Sequence, residues 1–145
     1  MNRTPLSALA LASVLTAAGA AAALAGPAET AFVREHALAL IEGALTPEQT
    51  TKLQLIAYQS AIANVCEGFD IDPPTFATAF DALAPAAAAE MTDDQKAYHD
   101  QHLLVIFGVL VGGELAAIGD DPAAAWGLGA VDKADPDLAA VLVWQ

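Results

Sequence analysis

The residues LLVIFGVLVGG, Leu103 to Gly113, decide the reading of the fold. They lie between His102 and Glu114 and form an uncharged stretch of eleven residues, inside a longer run with no strand-like alternation. A helix apolar all round belongs at the centre of a helical bundle, so the other helices are expected to lie against this one. A membrane span is the rival reading. Eleven residues rise only roughly 16 Å at about 1.5 Å each, about half the hydrocarbon thickness of a bilayer.

Gly108 and Gly112 form a GxxxG pair in that stretch, with Gly113 beside it. Three glycines cost about 3 kcal/mol of helix propensity against alanine. A close helix crossing would repay this. The crossing helix belongs either to the same chain or to a second copy, and an internal crossing is the simpler expectation.

Moving outward, the helix starts are marked by a capping residue followed by proline: Thr46-Pro47, Asp72-Pro73, Asp121-Pro122 and Asp135-Pro136. Thr or Asp accepts from the free amides of a first turn, and proline at the first helical position loses nothing by lacking an N–H. Thr46 with Gln49, and Thr92 with Gln95, have capping-box spacing. These signals predict helices over 28–44, 47–67, 73–83 and 93–118, with a linker over 85–90. Gly68 and Gly119 are expected to end the second and fourth. The expected inward stripes are Phe32, His36, Ala39, Leu40 and Gly43 in the first helix, with Glu35 and Glu42 turned away. In the second they are Leu55, Tyr58, Ile62 and Val65, and in the third Phe76, Phe80 and Leu83. The fold class is therefore all-α, a compact bundle of four main helices with a short irregular or helical C-terminal extension. The core covers about 28–119 and the extension 120–145. The apolar stretch from Trp126 to Gln145, ending in Val141, Leu142, Val143 and Trp144, either docks on the bundle or marks a partner surface.

The first 25 residues read as a cleavable signal peptide: a basic start through Arg3, an uncharged apolar run from Leu6 to Leu24, and small residues at Ala23 and Ala25. Cleavage before Gly26 leaves one 120-residue domain, exported by the general secretory route to the periplasm or the medium. No twin-arginine pair stands in the leader, and no cysteine near the cut could take a lipid. Loss of Arg3 takes the net charge from −13 to −14. Four scattered cations cannot form the basic cluster that nucleic acid or an anionic lipid surface requires. Neither nucleic-acid binding nor stable membrane insertion after cleavage is expected.

Three places carry candidate chemistry. Cys66 is the chain's single cysteine, so in an oxidising compartment it is a quiet thiol, half of an intermolecular disulfide, or a reactive group. His99 and His102 share a helix face at i, i+3 and could hold a metal if carboxylates or His36 completed the shell. Their spacing is not that of HExxH, and an exposed polar first turn whose acids favour the positive helix end is the weightier reading. In Glu67 to Asp72 the acids at 70 and 72 imitate a calcium loop, but Pro74 and Thr75 break the pattern, and a turn with a helix cap explains the segment. Ser60 lies outside any GxSxG, and no CxxC, haem-attachment motif or phosphate loop is present. No cofactor is called for, and the inventory leans away from an enzyme. The leading expectation is a non-catalytic factor, chaperone-like or inhibitor-like, that contacts another protein or itself. The alternative is a metal or small-ligand binder built on His99, His102 and carboxylates.

Overall fold

The computed structural model describes residues 28–41 and 43–145. The leader expected over 1–25 and residue Glu42 lie outside the described residues. Five α-helices are present among them: α1 (Ala28–Leu40), α2 (Pro47–Val65), α3 (Pro73–Asp81), α4 (Asp93–Asp120) and α5 (Pro122–Ala134), with one 3-10 turn at Ala88–Glu90. The chain is thus all-α, but with five helices rather than four. Asp121 accepts from Ala124 N and launches a full thirteen-residue helix from Pro122. Gly127 and Gly129 lower the helix propensity of that stretch, so the sequence predicts a short irregular or helical extension and not a helix of this length. No helix follows Pro136.

Local chemistry starts the other helices as expected. Thr46 and Gln49 exchange both bonds of a capping box, as do Thr92 and Gln95. Asp72 accepts from Thr75 N at the head of α3. Gln49 does more than cap, since its amide also donates to the carbonyls of Ala82 and Ala84 and ties the start of α2 to the end of α3. The ends differ from expectation. Gly68 has positive φ just beyond α2, as expected, and Gly43 does the same beyond α1, whereas Gly119 stays helical and α4 runs on to Asp120. Pro122 ends it, because proline disfavours helical backbone in the residue before it.

The helix enclosed on all sides is α2, not α4. Every residue from Ile56 to Ile62 is buried, including Gln59 and Ser60. One core cluster joins Ala37 and Ile41 of α1 to Leu53 and Ile56 of α2 and to Leu103, Ile106 and Leu110 of α4, with Leu83 and Val143. A second joins Tyr58, Ile62 and Cys66 to Phe69, Ile118, Ala125 and Trp144. Phe76 and Phe80 of α3 pack on Phe107.

The stripe expected on α1 is rotated. Phe32, His36, Ala39 and Leu40 face solvent, while Val33, Ala37 and Ile41 turn inward. Two contacts fix that rotation: the Arg34–Glu114 ion pair, and the approach of Val33 to Gly113. A shift of one residue is about 100° around a helix, enough to exchange faces.

The C-terminal stretch docks. Val143 and Trp144 are buried, and the tail lies as an extended strip between α2 and the 70–72 turn. Asp72 N donates to Val143 O, and Gln145 N donates to Asp70 O, around an isolated antiparallel bridge between Ile71 and Trp144. On the other edge the Gln59 amide, wholly buried, donates to Val141 O at 3.2 Å and accepts from Val143 N at 2.6 Å. Trp144 Nε1 donates to Gln59 O. One side chain therefore serves two main-chain groups of a neighbouring strip, which lets an amide sit inside an apolar core without an unpaired atom.

Candidate functional site

The outer face of α4 is the largest departure from the expected packing. Leu103, Ile106, Leu110 and Ile118 form its buried line. Opposite them Leu104 is 56% and Val105 63% exposed, and a Cβ built on Gly108 or Gly112 meets nothing within 4 Å. The GxxxG pair therefore has no crossing helix among the described residues. The close internal crossing is one residue further on, where a Cβ on Gly113 would lie 3.2 Å from Val33 Cγ1. By length and composition α4 is also long and apolar enough to cross a membrane, and 22% of its apolar window is buried by the rest of the chain.

The histidines tie helices together. The Nε2–H of His102 donates to Leu40 O at 2.9 Å, and that of His99 reaches Leu83 O at 3.4 Å; a carbonyl only accepts, so the ring nitrogen in each contact carries the proton. The start of α4 is thereby linked to the ends of α1 and α3. His102 stacks on Tyr98 with ring centroids 5.9 Å apart, while His36 stacks on exposed Phe32. Among the described residues no three His, Cys, Asp or Glu side chains come together as a metal-ligand set.

Cys66 is 7% exposed and packs in the second core cluster, its Sγ 4.0 Å from Pro122 O. Burial pushes its thiol above the ordinary value, which leaves little thiolate to attack a disulfide. The 67–72 turn spends its groups on structure. Asp72 caps α3, Asp70 O pairs with the tail, and Gly68 O accepts from Lys133 Nζ at 3.0 Å. Phe69 in that turn is enclosed by Trp126, Trp144 and the Lys133 ammonium, 5.6 Å from its ring centroid. Ser60 Oγ donates to Ile56 O inside α2.

One titratable pair, buried Tyr58 with half-buried Asp132, has no signature in the sequence. Burial first, and then the Asp132 carboxylate that accepts its hydrogen bond, push the Tyr58 hydroxyl well above its usual range. Burial likewise raises Asp132, against the opposing hydrogen bond from Tyr58. Leu53, Ile56, Ala57 and Ala61, apolar positions off the Leu55, Tyr58, Ile62 and Val65 stripe, are the available signal that α2 is buried on more than one stripe.

No protein-family model matches the chain, and neither a curated protein nor a solved structure matches it.

Proposed function

We propose that this protein is an exported, non-catalytic helical factor that works by contact with another protein through the outer face of α4. The observation that carries the reading is the open pair Gly108 and Gly112, flanked by exposed Leu104 and Val105. Each glycine weakens an isolated helix by about 1 kcal/mol against alanine, and no contact within the described residues offsets that. A partner helix lying along the groove does so, because the missing Cβ atoms let two backbones approach. Leu104 and Val105 supply apolar area beside it. The charge-free run from Leu103 to Gly113 keeps acidic side chains out of the contact. Export is supported by the basic, apolar and small-residue order of residues 1–25.

Site-specific photocrosslinking in the native cells tests the reading. A photoreactive residue at Val105 is expected to give a discrete adduct, and the same probe at Lys96 is not. Gly112→Leu, which has room in the isolated chain, should abolish the adduct while circular dichroism stays unchanged. Adducts of equal yield at both positions, or an adduct indifferent to Gly112→Leu, overturn it. So does retention of the processed protein in lipid through α4.

A further inference from the structure

We infer that the hollow between α2, α3 and the C-terminal strip is a binding site for a small apolar carboxylate, with Lys52 holding the head group. Its volume is about 330 Å³, at the small end for ligand pockets. Ile56 and Val143, both fully buried, form its floor, and Leu55, Ala79 and Val141 its walls. Lys52 is the only charged residue that lines it.

The state of that lysine points to the ligand. The described residues hold four cations in a chain with 18 acids. Arg34 pairs with Glu114, Lys96 lies 4.0 Å from Asp93, and Lys133 donates to Gly68 O and Gln145 O. Among the described residues Lys52 makes no ion pair or hydrogen bond, even with Glu48 one turn back on α2. Asp72, the acid nearest in sequence to the lining residue Pro74, is engaged by Thr75 at the cap of α3. Lys52, a half-buried residue, therefore lines the apolar hollow with its three ammonium donors uncommitted to any described group. The complementary molecule has a short apolar body and one negative end.

The net charge of −13 repels anions at long range, but at physiological salt the Debye length is about 8 Å, so the head group answers mainly to the charge beside it. The wall is also fixed in advance. Gln59 grips one edge of the strip and Asp72 N the other, so a ligand need not order the 141–143 segment.

Calorimetric titration of the purified chain with three amphiphiles of equal tail is the test: decanoate, decanol and decyltrimethylammonium, each below its micellar concentration. Saturable one-to-one binding of decanoate is expected, at least tenfold tighter than decanol, with no binding of the cation. Lys52→Gln and Lys52→Glu should each weaken decanoate at least tenfold and leave decanol unchanged. Ala79→Phe, which fills the hollow, should abolish both. Circular dichroism spectra and melting curves identify any variant that has not folded. Equal affinity for the three amphiphiles, or decanoate binding unaltered in both Lys52 variants, overturns the inference, as does binding that survives Ala79→Phe.

Discussion

Helices α2 and α4 exchange the roles their compositions suggest. The more apolar helix, α4, leaves Leu104, Val105, Gly108 and Gly112 uncovered, while α2, with Tyr58, Gln59 and Ser60 in its middle, is surrounded. Helix α2 has α1's core residues, α3, α4 and α5 around it, and the C-terminal strip closes the remaining side. The difference teaches that enclosure depends on how many elements reach a helix and not on how apolar the helix is. A polar side chain tolerates enclosure when its neighbour brings matching main-chain groups, as the strip does for Gln59.

The sharpest way to break this comparison is Gln59→Leu. It leaves Val143 N–H and Val141 C=O without their partner in the core, and we expect a loss of about 3 kcal/mol in urea unfolding. A loss under about 1 kcal/mol would mean that the strip does not depend on the amide. A smaller pair of changes contrasts two glycines. Gly112→Ala, on the open face of α4, should stabilise the chain by about 1 kcal/mol. Gly129→Ala should destabilise it by about 1 to 3 kcal/mol, because the new methyl would lie 3.0 Å from the Phe69 ring against α2. Thermal melts of both variants read the opposite signs directly.

The smallest effect is on pH dependence. Cys66 and Tyr58 are both raised above ordinary values of 9.0 and 10.0, so above those values the unfolded chain has given up protons that the fold retains. Stability should then fall as pH rises from about 9. Asp132 adds a decline of the same sign just above 3.8, its ordinary value, as the unfolded carboxyl ionises before the folded one. Cys66→Ala should flatten the first part of the alkaline slope in pH-dependent urea titrations, while Gly112→Ala leaves the slope as it is.

What could be read from the sequence follows the range of the interactions involved. Caps are local: Thr46 and Gln49, or Thr92 and Gln95, are three residues apart, and so four helix starts stood in plain view. Rotation about a helix axis is set by distant partners. The Arg34–Glu114 pair spans 80 residues and turned the α1 stripe, and the Gln59–Val143 bond spans 84 and closed over α2. At the candidate site, Gly108 and Gly112 were visible as a place of close approach. That their face is left open was not, because it depends on where α1 lands, and α1 lands on Gly113.

The tie between Gln59 and the strip also sets a timetable. Until synthesis has passed residue 143, the side-chain amide of Gln59 lacks its carbonyl and N–H partners, and Trp144 then closes on the Gln59 carbonyl. Closing a loop of more than eighty residues comes late in folding, since its entropy must be met before the contact rewards it. A nascent chain that lacks residues 141–144 thus cannot cover this side of α2, and the packing around Gln59 waits for the strip.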